Sequence, residues 1–289
     1  MQPALTYDPH PSAPRLRLPA GACDAHVHVF GPAARFPFAQ DRSFTPADAP
    51  KETLFALHRH LGIDRCVIVQ SLCHGFDNRV VEDAIAAGGG NYLGVALLAL
   101  DVPDQELARL AGAGFRGVRF NFARNAGAAF DVDGVVAFGR RLEPLGMHLQ
   151  VHFERGLIHD LAGPLARSAV PVVIDHMARA DAAAGPSHPD FVALRTTLEN
   201  PLFRVKVSGI DRISRAAGYA DGIALAHLLV RDFPDRCFWG TDWPHPLHDH
   251  VPDDGELVDA LERIAPEPAA RERLLVHNPE AFYRFGVHS

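Results

Sequence analysis

Short apolar runs alternate with stretches of helical spacing along most of the chain. The runs are nearly continuous and rich in β-branched and aromatic residues, which is typical of strands buried on both faces of a parallel sheet. The eight runs are Ala22–Phe30, Cys66–Gln70, Leu93–Ala99, Gly117–Asn121, His148–Phe153, Val170–His176, Phe203–Ser208 and Cys237–Thr241. Ala- and Leu-rich stretches predict helices near residues 51–61, 78–88, 104–112, 132–144, 157–167, 189–199, 219–232 and 255–265, with a last one near 267–275.

Eight strand–helix units predict a single closed (β/α)8 barrel, the TIM barrel, over residues 21–289. Residues 1–20 contain several prolines and no periodicity, so we expect an extended N-terminal arm there. An open, doubly wound sheet is the structural alternative. The lack of a GxGxxG motif after the first run disfavours its dinucleotide-binding form.

The chain carries 28 basic and 35 acidic residues, a net charge of −7, so no basic field attracts nucleic acid or an anionic membrane. There is no secretory signal and no apolar run long enough to span a membrane, and we therefore expect a cytoplasmic protein. The cysteines (Cys23, Cys66, Cys73 and Cys237) form no CxxC motif and predict buried, reduced thiols. The sequence is compatible with either a monomer or a homo-oligomer.

Ionisable side chains gather at the carboxyl ends of the predicted strands, the end of a parallel barrel where active sites lie. The His-x-His pattern places His26 and His28 on one face of the first strand. His152, His176 and Asp242 lie at the ends of three other runs. Burying such groups together is costly unless they pair, hold a metal or meet a ligand, so the pattern predicts a functional centre.

Three imidazoles and one carboxylate from this rim would suit Zn²⁺, with one position left for a water whose pKa falls towards about 7. In the alternative, the same groups hydrogen-bond the substrate and orient water without a metal. The residues alone leave both interpretations open.

Five segments carry a resemblance to a known family: CDAHVHVFGPAARFPFAQDRSFTP, VIVQSLCHGFDN, GFRGVRFNF, VIDHMAR and CFWGTDWPHP. Together they span residues 22–246, and they resemble the amidohydrolase superfamily, in particular its 2-pyrone-4,6-dicarboxylate lactonase group. The resemblance implies a (β/α)8 barrel and hydrolysis of a planar dicarboxylated lactone in aromatic-compound catabolism. It also implies catalysis that needs no metal in that lactonase.

The resemblance further implies roles for single residues. Asp242 is the expected general base, while His28 and His176, with His26, surround the lactone carbonyl. Arg119 and Arg124 match substrate-binding arginines of the group.

Three positions depart from that group: Phe44 and His152 each replace a tyrosine, and Leu247 replaces an asparagine. These changes leave the identity of the lactone undecided. We still expect Phe44 to contact the substrate. His152 completes the ligand set of metal-dependent superfamily members. We accordingly expect one divalent ion, preferably zinc, on His26, His28, His152 and Asp242, with His176 beside it, and a metal-free mechanism stays open.

Arginines on the rim predict an anionic substrate, because guanidinium groups bind carboxylate and sulfonate bidentately. The candidates are Arg119, Arg124, Arg179 and Arg212, with Ser71 and His74 as further donors. The alternative is that one or two of them form salt bridges to Asp175, Glu154 or Asp211. The expected partner is a small anionic lactone, such as 2-pyrone-4,6-dicarboxylate or a sulfomuconolactone. The rival function is that of a metal-dependent decarboxylase or hydratase acting on an unsaturated dicarboxylic acid.

Several other polar residues are expected to lie away from the rim. The histidines His58, His60, His227, His248, His250 and His277 are interpreted as surface or structural residues. Lys206 falls in mid-strand, where we expect it to pair with a neighbouring carboxylate without a catalytic role.

Overall fold

The computed structural model describes residues 5–122 and 131–286. Eight strands form one parallel sheet in chain order: β1 (Cys23–Val27), β2 (Arg65–Val69), β3 (Tyr92–Leu97), β4 (Phe115–Phe122), β5 (His148–Phe153), β6 (Val172–Ile174), β7 (Phe203–Lys206) and β8 (Cys237–Phe238). The backbone N–H of Ala25 donates to the carbonyl of Trp239 at 2.8 Å, which joins the last strand to the first. The predicted TIM barrel is confirmed.

Helices follow the strands in alternation, as the sequence pattern predicts. They are α1 (Lys51–Leu61), α2 (Arg79–Ala87), α3 (Asp104–Gly112), α4 (Val132–Leu142), α5 (Ile158–Leu165), α6 (Pro189–Glu199), α7 (Ile210–Ile213), α8 (Ala220–Asp232), α9 (Asp254–Asp259), α10 (Leu261–Ile264), α11 (Pro268–Glu272) and α12 (Asn278–Tyr283). The short helix α7 and the C-terminal helix α12 are additions to the sequence prediction. The predicted helix over residues 255–265 is divided into α9 and α10.

Strands β1, β6 and β8 are shorter than the apolar runs that predict them. Strand β6 ends directly before Asp175 of the rim, and β8 ends at Phe238, four residues before Asp242. Gly240 lies between β8 and Asp242, where a Cβ atom would come within 2.6 Å of the backbone nitrogen of His26. Only glycine permits this close approach, and it lets the chain after β8 run alongside β1.

The barrel interior holds a buried lysine beneath the rim. Nζ of Lys206 donates to Oε1 of Gln150 at 2.9 Å and lies 4.0 Å from Oδ1 of Asp175. The predicted pairing of Lys206 with a carboxylate is thus found. Burial, the main cause, lowers the pKa of Lys206 to about 8. A buried apolar cluster that includes Val67, Val95 and Tyr283 fills another part of the interior.

Residues 5–20 contain no helix or strand and lie along the barrel. Ser12 and Arg15 bond to Asp253 and Asp259, and the rings of Tyr7 and Trp243 lie 5.0 Å apart. All four cysteines are buried and free of disulfides, as expected. Within the described ranges, no helix combines the length and apolar character needed to cross a membrane.

Candidate active site

Barrel closure places Asp242 beside the histidines of β1. The backbone N–H of Asp242 donates to the carbonyl of His26 at 2.9 Å, and that of His28 donates to the carbonyl of Trp243 at 2.7 Å. Asp242 has a φ of 67°, a left-handed conformation that is uncommon outside glycine. These backbone bonds turn its side chain into the rim, where it is fully buried.

Three imidazoles converge on one oxygen of Asp242. Its Oδ1 lies 3.4 Å from Nε2 of His28, 3.6 Å from Nε2 of His26 and 3.8 Å from Nε2 of His176. All four side chains are at most 3% exposed. The structure therefore brings together the three residues that the sequence predicts as catalytic, with His26 directly behind them.

Hydrogen bonds on the far sides of two rings set their orientation. Nδ1 of His28 lies 2.7 Å from the carbonyl oxygen of Val69, and because a carbonyl only accepts, Nδ1 carries the proton. In the neutral ring, Nε2 then presents a lone pair towards Asp242. Nδ1 of His176 pairs with the hydroxyl of Ser208 at 2.9 Å.

The Asp242 carboxylate is ionised. Burial alone would raise its pKa, but His176 and Arg212 outweigh burial and hold the pKa well below its ordinary value. Nη2 of Arg212 donates to Oδ2 at 2.8 Å. Nε2 of His248 also lies 3.4 Å from Oδ2. One carboxylate oxygen is thus held by a fixed cation, while the other faces the imidazoles.

A second buried carboxylate, Asp175, lies behind the first. Its Oδ1 is 3.3 Å from Nδ1 of His26, and its Oδ2 accepts from Nε of Arg119 at 2.9 Å. The sequence alternative for Arg119, a salt bridge to Asp175, is therefore what the structure contains, although Arg119 also lines the cavity. Burial, together with the charge of Lys206, lowers the pKa of His26 to about 4. His26 is consequently a neutral ring at neutral pH.

The donor set at Asp242 fits a divalent cation. His26, His28 and Asp242 each offer one ligand atom, and these atoms lie within 4.8 Å of one another. Tetrahedral ligands at about 2.1 Å from zinc are about 3.4 Å apart, close to the separations found here. Oδ1 of Asp242 and Nε2 of His26 are buried, and neither makes a hydrogen bond within the described residues. A cation would satisfy both atoms.

His152 lies outside this group of three residues, and the predicted four-ligand set that includes it stays a prediction. It lies on β5, and its ring centroid is 5.5 Å from that of His176. Nδ1 of His152 is buried without a hydrogen-bond partner in the described part of the chain. Burial, and then Arg119, lowers the pKa of His152 well below its ordinary value, so this ring is also neutral.

A cavity of about 270 Å³ opens above Asp242. Its lining includes His28, His152, His176 and Asp242, the arginines Arg119, Arg179 and Arg212, and Phe44, Ser71, Leu72, Asn121, Phe122, Glu154, Pro246 and Leu247. The volume suits a small molecule of a single ring rather than a polymer.

Arg179 differs from the other two arginines of the cavity. Arg119 and Arg212 are bonded to the buried carboxylates, whereas no described residue hydrogen-bonds or pairs with the guanidinium of Arg179. Burial, and then the charge of Arg212, lowers the pKa of Arg179 from its ordinary value. A half-buried guanidinium that no described carboxylate contacts directly is suited to receive an anionic group of a ligand.

The remaining predicted residues divide into three groups. Phe44 and Ser71 line the cavity as expected. His74 does not, because Nε2 accepts from the backbone of Gly31 and Nδ1 bonds the carbonyl of Pro37, so the substrate role predicted for His74 is withdrawn. Arg124 lies outside the described residues.

The prediction that His248 lies away from the rim is wrong. Its side chain is only 1% exposed and lies between Asp242 and Asp211. The repeated histidines of the segment HPLHDH, which carries His245, His248 and His250, were the one available signal. His58 is structural as expected, since its Nδ1 bonds the hydroxyl of Tyr92 at 2.8 Å.

Comparison with known proteins identifies relatives over almost the whole chain. The model of the amidohydrolase family matches residues 23–285. The 2-pyrone-4,6-dicarboxylate hydrolase of Comamonas testosteroni is 42% identical, over 96% of this chain and 95% of its own length. The 4-sulfomuconolactone hydrolase of Hydrogenophaga intermedia is 38% identical, over 93% of this chain and 90% of its own. A Pseudomonas putida structure described as a putative 2-pyrone-4,6-dicarboxylic acid hydrolase is 30% identical with a TM-score of 0.82, covering 93% of this chain and 100% of that one.

Proposed function

Because the chain belongs to the amidohydrolase family, we propose that it is a lactonase that opens a small lactone carrying carboxylate or sulfonate groups. The observation that carries the proposal is the ionised Asp242, whose Oδ1 faces three imidazoles at the floor of an arginine-lined cavity. Relatives at 42% and 38% identity are named as hydrolases of such lactones. The family resemblance identified from the sequence agrees with both findings.

Substrate binding rests on the arginines of the cavity. We assign Arg179 as the main anion-binding residue, because its guanidinium lines the cavity and makes no hydrogen bond or close ion pair with a described residue, while Asp242 and Glu154 act on it only from a greater distance. Arg119 and Arg212 add positive potential while they hold Asp175 and Asp242. Arg124, predicted for the same role, stays a prediction. Phe44 and Leu247 present apolar surface at the cavity, which suits the face of a planar ring.

In the proposed reaction, Asp242 takes a proton from the attacking water as general base. Nε2 of His176 faces the place where the lactone carbonyl would lie. With the Ser208 hydroxyl donating to Nδ1, this Nε2 carries the proton and stabilises the negative charge that develops on the carbonyl oxygen. Nε2 of His28 faces the same place with a lone pair, which suits it to hold a cation there. The tetrahedral adduct collapses by breaking the bond to the ring oxygen. Asp242 then returns the proton to that oxygen, which leaves a free hydroxyl or enol and a carboxylic acid that releases its proton to solvent.

A divalent ion, preferably zinc, would be held by His26, His28 and Asp242. When bound, it supplies Lewis-acid stabilisation of negative charge at the carbonyl oxygen. His152 stands next to His176 and contributes to the cavity wall in this proposal rather than to the preassembled ligand set.

A lactone panel tests the function. Purified protein is mixed with 2-pyrone-4,6-dicarboxylate, 4-sulfomuconolactone and an uncharged sugar lactone, and a pH indicator follows proton release with and without a chelator. We expect turnover of at least one charged lactone and little of the uncharged one. Release of CO₂ from an unsaturated dicarboxylic acid, with no lactone opened, would instead support the rival decarboxylase.

A further inference from the structure

A second group of histidines surrounds a buried aspartate next to the candidate active site. Asp211 lies on the short helix α7, and the histidines lie in the loop after β8. Oδ2 of Asp211 is 2.8 Å from Nδ1 of His248 and 3.3 Å from Nε2 of His250. One ring nitrogen of His245, one of His248 and one oxygen of Asp211 lie within 4.8 Å of one another.

The far nitrogen of each ring faces a different carboxylate. Nε2 of His245 is 3.2 Å from Asp254, Nδ1 of His250 is 2.9 Å from Asp249, and Nε2 of His248 is 3.4 Å from Asp242. Because a carboxylate only accepts, Nε2 of His245 carries the proton in a neutral ring, and its Nδ1 is a lone pair directed at the Asp211 cluster. His248 has a carboxylate on both sides, so its Nδ1 shares a proton with Asp211 until a cation takes the place of that proton. Histidines that bind a metal through one ring nitrogen commonly donate the other ring N–H to a carboxylate.

Two atoms of this cluster are buried and lack partners. Oδ1 of Asp211 and Nδ1 of His245 make no hydrogen bond within the described residues, whereas Oδ2 of Asp211 is paired with Nδ1 of His248. The side chains of Asp211 and His248 are at most 1% exposed, and His245 is fully buried. Unsatisfied buried acceptors are costly, and lone pairs that face a carboxylate repel it. A cation among them removes both costs.

We propose that Asp211, His245, His248 and His250 form a second divalent-cation site, of the zinc class, separate from His26, His28 and Asp242. Three imidazoles and one carboxylate are a preferred ligand set for zinc. His250 is 38% exposed and gives the ion a path from solvent.

The ion would fasten the loop after β8 to helix α7. With Nδ1 engaged by the ion, His248 keeps its proton on Nε2 and donates it towards Oδ2 of Asp242. The site therefore acts on the candidate active site as a positioning element, and it shares no ligand with the catalytic group. This inference does not depend on which lactone, if any, the protein hydrolyses.

Zinc binding by the full chain tests the proposal. Chelator-treated protein is dialysed against a series of Zn²⁺ concentrations, and bound zinc per chain is measured by elemental analysis for the wild type, His250→Gln, Asp211→Asn and His28→Asn. His277→Gln is the matched control, because His277 is 62% exposed, pairs with Glu272 and contributes no atom to the cluster. Replacing zinc with Co²⁺ adds the visible absorption of a tetrahedral site as a second readout.

We expect His250→Gln and Asp211→Asn to lose one ion per chain, or to bind it about tenfold more weakly or worse, while His277→Gln matches the wild type. His28→Asn should keep the ion that His250→Gln loses, which separates the two sites. Equal zinc numbers and affinities in the wild type and both second-site variants would overturn the proposal, and so would a wild type that binds no zinc at any concentration tested. Because His250 lies at the surface, His250→Gln keeps the test valid if Asp211→Asn does not fold. A wild type that binds the ion but opens no lactone would contradict the proposed function alone.

Discussion

Arg212 donates a hydrogen bond of 2.8 Å to Oδ2 of Asp242, the carboxylate whose other oxygen faces three imidazoles. The same guanidinium nitrogen also bonds the carbonyl of Pro246 at 2.9 Å, so its position is fixed from two sides. This fixed cation helps keep a fully buried carboxylate ionised, and a general base must be ionised to accept a proton.

Replacing Arg212 with leucine should therefore move the acid side of the pH–rate profile. Arg212 lowers the pKa of Asp242, so its loss raises that pKa, and activity is lost at a higher pH as the solution is acidified. We expect the acid limb of kcat/KM to move to higher pH. Arg231→Leu, which removes an exposed arginine paired with Asp232, is the control and should leave the limb in place. A lower rate with an unmoved acid limb would contradict this role for Arg212.

Arg179→Gln should weaken binding of a charged lactone more than it slows the reaction. A charge-assisted hydrogen bond contributes about 1.5–3 kcal/mol, so KM should rise roughly 10- to 100-fold with a small change in kcat. Arg215→Gln removes a guanidinium that is 68% exposed, and it serves as the control. The KM of an uncharged lactone should not change. An unchanged KM for the charged lactone would exclude Arg179 from anion binding.

Lys206 makes the stability of the barrel depend on pH above 8. Burial lowers its pKa from 10.5 to about 8, so between these values the unfolded chain binds a proton that the folded chain has released. Stability contributed in this way rises with pH across that window, by up to about 3 kcal/mol. As the pH is raised from about 8 to 10.5, we expect the free energy of unfolding of the wild type to rise by this amount relative to that of Lys206→Met.

Chemical denaturation at pH 7.5 to 10.5 measures the difference. Lys51→Met is the matched control, because its hydrogen bond to Asp83 raises the pKa of Lys51 and gives no such gain in that range. Parallel stability curves for the wild type and Lys206→Met would show that the folded protein holds Lys206 charged throughout.

Removal of the metal should stop catalysis if His26, His28 and Asp242 hold it. After dialysis against a chelator, we expect kcat to fall on the order of a hundredfold or more and to return when zinc is added back. Elemental analysis accompanies each assay. Full turnover by protein in which no metal is detected would establish the metal-free alternative.

The architecture and the centre of the site could be predicted from the sequence for one physical reason. Strands of a parallel barrel end on one rim, so residues at the ends of separate runs meet there. His28, His176 and Asp242 were placed correctly in this way, because each directly follows an apolar run. Alternation along β1 added His26.

The position of His248 and the contacts of other rim side chains depend on backbone turns and side-chain directions that residue preferences do not reveal. Asp242 and His245 have φ values of 67° and 56°, and this left-handed loop carries His248 back towards α7. Non-glycine residues seldom adopt such angles, so the segment HPLHDH gives no sign of its path. The prediction of His152 as a ligand used only its position on the rim, and that position does not give the direction in which the side chain points. For the same reason, the sequence could offer the salt bridge between Arg119 and Asp175 only as an alternative to substrate binding by Arg119.

The turnover number of Asp242→Asn on the best charged lactone tests the central claim most directly. The substitution keeps the shape of the side chain and the backbone bond to His26 but removes the base, so the fold should survive, as thermal unfolding can verify. Asp104→Asn, at a carboxylate that is 83% exposed, is the matched control and should turn over normally. The account predicts a fall in kcat of about 10² to 10⁴-fold for Asp242→Asn. Turnover close to that of the wild type would contradict it.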